Sequence, residues 1–222
     1  SVPIIKEIIR AYRIPILEVA GYEADDVIGT LATEAGRQGI ITYMMTPDKD
    51  YGQLVSDKVF MYRPKHTGGF EVMGVDEVKA KFDIQSPAQV IDMLGLMGDS
   101  SDNIPGCPGV GEKTAQKLIA EFGSIENLLE HTDQLKGALK TKVETNREMI
   151  TFSKFLATIK IDVPIQLDMD SLVREQADED SLRQIFEELE FRTLIDRVLK
   201  KENAGNGITC LLYTSDAADD RI

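Results

Sequence analysis

Short apolar segments alternate with amphipathic ones through the first third of the chain, which limits the folds available to it. The predicted elements are the strand Ile14–Ala20, the helix Ala24–Arg37, the strand Ile40–Thr46, the short helix Lys49–Val55 and the strands Val59–Arg63 and Phe70–Met73. Such alternation is typical of a parallel sheet covered by helices. From Asp76 the pattern is helical, less regular at Asp162–Leu172, and it ends in one or two amphipathic helices over Asp180–Lys200. The sequence therefore predicts an α/β fold with a mostly parallel sheet, followed by a helical region.

Seven of the 38 acidic residues lie in three clusters, each of which follows an apolar segment. The clusters are Glu23, Asp25 and Asp26; Asp48 and Asp50; and Asp99 and Asp102. Carboxylates at the ends of buried elements repel one another unless cations lie between them, and oxygen ligands suit Mg²⁺ or Mn²⁺. Two such ions, about 3.5–4 Å apart, can hold a phosphodiester for hydrolysis. The clusters therefore predict a two-ion phosphoryl-transfer site.

Each cluster also has an interpretation without a metal ion. Acidic residues in the first turn of Ala24–Arg37 complement the helix dipole. Asp48 and Asp50 suit an ordinary strand-to-helix turn, and Asp99 and Asp102 lie among residues that favour turns. The conjunction of all three clusters, each at an element boundary, favours the metal site.

A glycine-rich hairpin joins two predicted helices, Pro87–Met97 and Glu112–Phe122, with Val110 expected to fill the space between them. Glycines let a phosphate approach the backbone, and N–H groups at a helix N-terminus bind anions. Contacts of this type bind a nucleic-acid backbone without reading its sequence. The alternative is a plain helix-turn-helix packing unit. The predicted contact residues are Gly106, Gly109, Val110, Gly111, Lys113, Thr114 and Lys117.

Composition and charge limit the class of protein. Of the 222 residues, 42% are hydrophobic and 28% charged, which are ordinary globular values. The two cysteines, Cys107 and Cys210, imply no disulfide framework and favour a cytoplasmic location, and no apolar run is long enough to cross a membrane. The net charge of −13 argues against nucleic-acid binding through a bulk positive field, so any DNA would be held by local contacts and bridging metal ions.

Four motifs in register resemble the 5′-nuclease domain of bacterial DNA polymerase I, within the flap endonuclease superfamily. They are Gly21-Tyr-Glu-Ala-Asp-Asp26, Thr46-Pro-Asp-Lys-Asp50, Gly98-Asp-Ser-Ser-Asp-Asn103 and Pro108-Gly-Val-Gly-Glu-Lys-Thr-Ala115. The resemblance runs from about Ile4 to about Lys200. It implies a PIN-like sheet followed by a helix-hairpin-helix region that holds duplex DNA.

The resemblance also implies roles for individual residues. By position, Glu23, Asp25 and Asp26 match ligands and near-ligands of one metal ion in the family. Asp48 and Asp50 match the family's carboxylates at the next strand end. Asp99 and Asp102 match ligands of a second ion. Catalysis is expected to involve Asp25, Asp26, Asp48 and Asp50. Lys49, between two of them, either neutralises a non-bridging phosphate oxygen or is a solvated surface lysine. The same resemblance implies two Mg²⁺ or Mn²⁺ ions as cofactors and a K⁺ ion at the hairpin. It also implies DNA with 5′ ends or flaps as the substrate, a monomeric state and an attached polymerase domain.

Three segments are expected along the chain: an α/β nuclease core over 1–75, a helical DNA-binding region over 76–200, and a linker with a non-native tail over 201–222. Compared with the family, the chain begins in the helix before Ile14–Ala20. We therefore expect it to lack the family's first strand, further carboxylates and basic arch, and to show little or no nuclease activity. From about Thr209 the sequence resembles a translated sequencing adapter.

Two other functions stay open on the sequence alone. A haloacid-dehalogenase-like phosphatase also carries an Asp-x-Asp pattern after a strand, as in Asp48-Lys-Asp50. A non-catalytic DNA-binding fragment would keep only the hairpin contacts. The histidines His66 and His131 lie in loop-like contexts and are predicted to have no role.

Overall fold

A computed structural model of the protein describes residues 2–65 and 67–199. The helices are α1 (Val2–Ala11), α2 (Ala24–Arg37), α3 (Val75–Phe82), α4 (Val90–Met97), α5 (Glu112–Phe122), α6 (Ile125–Glu130), α7 (Gly137–Thr145), α8 (Arg147–Ala157), α9 (Glu179–Glu188) and α10 (Arg192–Leu194). The strands are β1 (Thr42–Met45), β2 (Val59–Pro64) and β3 (Phe70–Met73). Short 3₁₀ turns lie at Lys49–Leu54, Pro87–Gln89 and Thr132–Gln134, and Ile195–Leu199 is π-helical.

The described part of the chain contains a mixed sheet with strand order β1-β2-β3. β1 runs parallel to β2, and β3 runs antiparallel to β2. The antiparallel pair follows from the tight connection between β2 and β3, in which Gly68 and Gly69 adopt φ values of +86° and +78°. The α/β class is confirmed. The acidic residues Asp48 and Asp50 follow the carboxyl end of β1, the strand that is parallel to β2.

The predicted strand Ile14–Ala20 does not form. Helix α1 ends at Ala11, Arg13 adopts a left-handed backbone (φ +52°), and residues 14–19 have no regular secondary structure. Pro15 lacks a backbone N–H, and no strand among the described residues pairs with the segment. An apolar run alone predicted a strand here, and it lacks the hydrogen-bonded neighbour that a strand requires.

Residues 21–165 form one compact unit whose hydrophobic core runs from the sheet into the helices. At its centre is α4, where Met93, Leu94 and Leu96 are fully buried. Burial of each such side chain contributes about 1.5–3 kcal/mol. Gly95 allows close packing, because a Cβ at that position would lie 2.7 Å from Ile125 Cδ1. The core thus contains residues from both sides of residue 75. The domain boundary expected near that residue stays a prediction.

A partly buried ion pair ties α8 to α4 within this unit. The ammonium group of Lys154 lies 2.6 Å from Asp92 Oδ1 and 2.8 Å from Glu126 Oε2. The other donor to Asp92 Oδ1 is the backbone N–H of Ile125, at 2.9 Å. Because its carboxylate accepts two donors, Asp92 is a buried charge that is paired and hydrogen-bonded.

The second compact unit comprises residues 2–20 and 166–199 of the described chain. Its small core contains Ala11, Leu182, Phe186 and Leu199. Asp178 caps α9 by accepting the Ser181 N–H at 3.1 Å. Helices α9 and α10 and the π-helical turn confirm the amphipathic helical ending predicted from residue 180.

Some predictions fall on residues that the structure does not describe. His66, Cys210 and the predicted tail over 201–222 lie outside the described residues. Cys107 is buried with a free thiol. Within residues 2–65 and 67–199, no helix is both long and apolar enough to span a bilayer.

Candidate metal centre and nucleic-acid interface

The turn after β1 places one carboxylate in the interior. Thr46 Oγ1 accepts the N–H of Asp48 at 3.1 Å, and Asp48 Oδ1 accepts the N–H of Asp50 at 2.9 Å. Asp48 therefore caps the 3₁₀ turn Lys49–Leu54, as Asp does at many helix starts. The tight turn brings the Asp50 side chain inward, where the residue is only 8% exposed.

A second element, here named the acidic loop (residues 98–106), carries two more carboxylates. The backbone groups of Asp99 and Ile104 pair in both directions, with N···O distances of 2.9 and 2.8 Å. Asp99 Oδ1 also accepts the N–H of Ser101 at 2.8 Å. These bonds hold Asp99 in a buried position, whereas Asp102 is exposed at the turn of the loop.

The two elements bring three carboxylates together. One oxygen from each of Asp50, Asp99 and Asp102 lies within 4.8 Å of the others. Oδ1 of Asp50 is buried and has no hydrogen-bond donor. Burial, together with the negative charges of Asp48 and Asp99, raises the pKa of Asp50 to about 7. A buried carboxylate oxygen that accepts no hydrogen bond, next to two further carboxylates, provides the oxygen ligands that a divalent cation prefers. These residues therefore fit a metal ion.

Lys49 supplies a positive charge at the same place. Its ammonium group forms an ion pair with Asp99. Burial acts to lower the pKa of Lys49, but the hydrogen bond and charge of Asp99 outweigh it, so this pKa is raised. Burial acts to raise the pKa of Asp99, but its bonds to Lys49 and Ser101 hold that pKa below its usual value. The cluster thus contains an internal counterion.

The first predicted acidic cluster has other partners in the structure. The phenol of Tyr51 donates to Asp25 Oδ1 at 2.6 Å, and the backbone N–H of Lys160 donates to Asp26 Oδ1 at 2.9 Å. Glu23 is exposed at the start of α2. Of the predicted metal ligands, four therefore lie outside the group of three found among the described residues: Glu23, Asp25, Asp26 and Asp48. Their assignment as metal ligands stays a prediction.

Two residues that the sequence did not single out hold the turn after β1 in place. Tyr51, 3% exposed, fixes Asp25, and burial together with that hydrogen bond raises the pKa of its phenol. Gln53 donates to the carbonyl of Ala157 and accepts the N–H of Ile159, both at 2.9 Å. No local pattern marks either residue, because their partners lie far away in the sequence.

The glycine hairpin between α4 and α5 has the geometry that the sequence predicted. Val110 is 4% exposed and belongs to the core between the helices. Gly109 has φ +76°, and Gly111 precedes the first turn of α5. Lys113 and Lys117 are exposed on α5. The residues of the predicted interface are Gly106, Gly109, Val110, Gly111, Lys113, Thr114 and Lys117, and their contact with DNA stays a prediction.

A lysine from α7 joins the hairpin from 33 residues away. Lys142 is exposed, and its Nζ donates to the carbonyl of Gly109 at 3.3 Å. A Cβ at Gly109 would lie 2.5 Å from that Nζ, so a larger residue there would displace the ammonium group. The sequence alone did not indicate Lys142, since only the fold brings α7 to the hairpin.

Comparison with known families decides the assignment. The 5′-3′ exonuclease N-terminal resolvase-like domain matches residues 1–83, and the 5′-3′ exonuclease C-terminal SAM fold matches residues 85–180. The chain belongs to the 5′-3′ exonuclease family. This membership confirms the predicted resemblance and disfavours the phosphatase alternative.

Curated relatives of the family are much longer proteins. DNA polymerase I of Bacillus subtilis (strain 168) is 44% identical over 200 residues, which are 89% of this chain and 23% of that protein. DNA polymerase I of Bacillus caldotenax is 41% identical over 198 residues, or 88% and 22%. The chain therefore spans less than a quarter of the length of these relatives.

Solved structures support the fold. T5 5′-exonuclease with bound divalent metal ions (zinc) has a TM-score of 0.60 at 20% identity, over 80% of this chain and 62% of that chain. The catalytic core of Rad2 in complex with DNA substrate has a TM-score of 0.60 at 17% identity, over 90% and 68%. The chain thus shares with these two structures an α/β fold that continues into a helical region.

Proposed function

We propose that this chain is the 5′-3′ exonuclease part of a DNA polymerase I, which in the longer protein hydrolyses DNA at 5′ ends and flaps with the help of divalent metal ions. The convergence of Asp50, Asp99 and Asp102, with one buried Asp50 oxygen lacking a donor, carries the proposal. Membership of the 5′-3′ exonuclease family supports the reaction. The metal ions in the T5 relative and the DNA in the Rad2 complex support the cofactor and substrate.

Two divalent ions, Mg²⁺ or Mn²⁺, are the proposed cofactors. Asp50, Asp99 and Asp102 would hold one of them, because an all-oxygen donor set suits these ions. The residues proposed for the second ion, directly or through water, are Glu23, Asp25, Asp26 and Asp48. When bound, such ions lower the pKa of an attacking water and stabilise the leaving oxygen.

The protein side chains have distinct tasks in this proposal. In the reaction the carboxylates act as metal ligands, directly or through water, and do not shuttle protons. Lys49, which pairs with Asp99 in the described structure, would turn to a non-bridging phosphate oxygen when DNA is bound. Tyr51 keeps the Asp25 carboxylate in one orientation through its 2.6 Å hydrogen bond.

The hairpin is proposed to bind the DNA backbone. The exposed lysines Lys113 and Lys117 would contact phosphates, and the N–H groups after Gly111 would face the same strand. We propose a K⁺ ion at the hairpin carbonyls. This site is supported by the Gly109 carbonyl, which already accepts a hydrogen bond from a cationic group, the Nζ of Lys142. We further propose that the protein is monomeric and cytoplasmic.

Metal binding and cleavage test the proposal together. Mn²⁺ is titrated into the whole chain and into two variants, Asp50→Asn and the exposed control Asp57→Asn. At the site of Asp50, Asp99 and Asp102 we expect saturable Mn²⁺ binding that Asp50→Asn removes and Asp57→Asn leaves unchanged. Cleavage of a 5′-labelled flap duplex is then measured with Mg²⁺ and with EDTA, for the chain and for a longer protein that contains it.

Mg²⁺-dependent release of the labelled end, by the chain or by the longer protein, would support the proposed hydrolysis. If both bind duplex DNA but neither cleaves it with Mg²⁺, the chain is a non-catalytic DNA-binding module. If Mn²⁺ does not bind the unmodified chain, or binds Asp50→Asn equally well, the metal assignment is wrong.

A further inference from the structure

A buried hydroxyl on α8 contacts the end of the acidic loop. Ser153 is fully buried, with 0% exposure. Its Oγ accepts the backbone N–H of Gly106 at 2.9 Å, across 47 residues of sequence. A backbone N–H at such a buried place needs an acceptor, because leaving it unpaired costs about 1–3 kcal/mol. Ser153 is therefore the acceptor for one end of the loop that carries Asp99 and Asp102.

The two ends of the acidic loop touch, so fixing one end fixes the other. Gly98 and Gly106 have φ values of +74° and +62°. A Cβ at Gly106 would lie 2.7 Å from the Cα of Gly98, which means that the two backbones are in direct contact. Asp99 follows Gly98 directly, and its paired bonds with Ile104 close the loop just beyond this contact.

Helix α8, which carries this hydroxyl, is held in place by its contacts with α4. It packs along α4, and Lys154, the residue after Ser153, makes the partly buried ion pair with Asp92. The backbones approach closely, since a Cβ at Gly95 would lie 3.1 Å from the Cα of Lys154. The position of Ser153 is thus set by contacts that do not involve the acidic loop.

We infer that Ser153 is a positioning residue that holds the acidic loop so that Asp99 and Asp102 face Asp50. It acts through Gly106 and touches neither a metal ion nor DNA. Because Gly106 also begins the glycine hairpin, the same hydrogen bond links the metal centre to the proposed DNA-binding element. This inference rests on the proposed function.

The test measures metal affinity and backbone protection in the whole chain. Ser153→Ala removes only the hydroxyl. We expect the dissociation constant for Mn²⁺ to rise about tenfold, as it does when groups that support metal ligands are lost. Hydrogen exchange of the Gly106 amide should accelerate by about tenfold or more, because its acceptor is gone.

Asn127→Ala is the matched control. Asn127 Nδ2 donates to the carbonyl of Phe122 at 2.7 Å, outside the acidic loop. This variant also loses a partly buried hydrogen bond, so it should lower the melting temperature without changing the dissociation constant for Mn²⁺. Should Ser153→Ala fail to fold, Ser153→Cys places a weaker acceptor on a slightly larger side chain and should give an intermediate rise.

Two results would overturn the inference while leaving the proposed function intact. One is unchanged Mn²⁺ binding and Gly106 exchange in Ser153→Ala. The other is an equal loss of Mn²⁺ affinity in Asn127→Ala, which would mean that general destabilisation is the cause. If the unmodified chain itself does not bind Mn²⁺, the proposed function fails and this inference with it.

Discussion

The buried carboxylate of Asp50 should make the stability of the metal-free protein depend on pH. Its pKa in the folded chain is about 7, whereas an Asp in an unfolded chain has a pKa of about 3.9. The folded state therefore binds this proton more tightly. The stability that the protonated group contributes is fully present below about pH 4 and is lost as the pH rises to about 7. At about 1.4 kcal/mol per pH unit, the loss reaches about 4 kcal/mol as an upper value.

Asp50→Asn should remove this dependence, because the amide has the same size and carries no charge. In EDTA at pH 8, we expect the variant to be more stable than the unmodified chain by up to about 4 kcal/mol, or about 10 °C in melting temperature. Near pH 4 the two should be equally stable. Added Mg²⁺ should reverse the order at pH 8, because it binds the folded unmodified chain and stabilises it.

The assay is urea unfolding followed by far-UV circular dichroism between pH 4 and pH 8. Asp57→Asn, an exposed carboxylate outside the cluster, is the control and should follow the unmodified chain. The difference between Asp50→Asn and the control isolates Asp50 from other titrating groups. If Asp50→Asn were no more stable than the control at pH 8 in EDTA, Asp50 would not be a buried charge among like charges.

Three further results are expected. Asp102→Asn should abolish Mg²⁺-dependent cleavage by an active longer protein and leave duplex binding largely intact; near-full activity in a flap assay would contradict the ligand role. Lys113→Ala and Lys117→Ala should each weaken binding to duplexes of unrelated sequence by similar factors, and each should reduce the slope of log K against log salt concentration by about one. The control Lys58→Ala should change neither quantity. A loss that depends on the duplex sequence would indicate base readout. In hydrogen exchange, α5 should be strongly protected and β1 weakly, because β1 has one hydrogen-bonded neighbour among the described strands; equal protection would contradict this.

The sequence predicted the elements whose signals are local. The helices Ala24–Arg37 and Glu112–Phe122 have the predicted bounds. In the second case Gly111 and Gly123 mark both ends, and an apolar face repeats along the helix. The strand expected at Ile14–Ala20 failed because an apolar run indicates burial but does not provide a neighbouring strand.

The candidate site was predictable only in part for the same reason. Asp50 and Asp99 follow recognisable turn signals, and the structure brings them together. Tyr51, Lys142 and Ser153 act through partners 26, 33 and 47 residues away. Contacts over such separations depend on the packing of whole helices, and a single sequence does not encode them in any local spacing.

The ion pair between Lys49 and Asp99 gives the carboxylate cluster a competitor that belongs to the chain itself. A tethered ammonium group has an effective concentration that dilution of the buffer does not change. A divalent ion that leaves can be replaced at Asp99 by Lys49 without waiting for a free cation from solution. Exchange of the metal would then proceed without leaving the negative charge of Asp99 unbalanced.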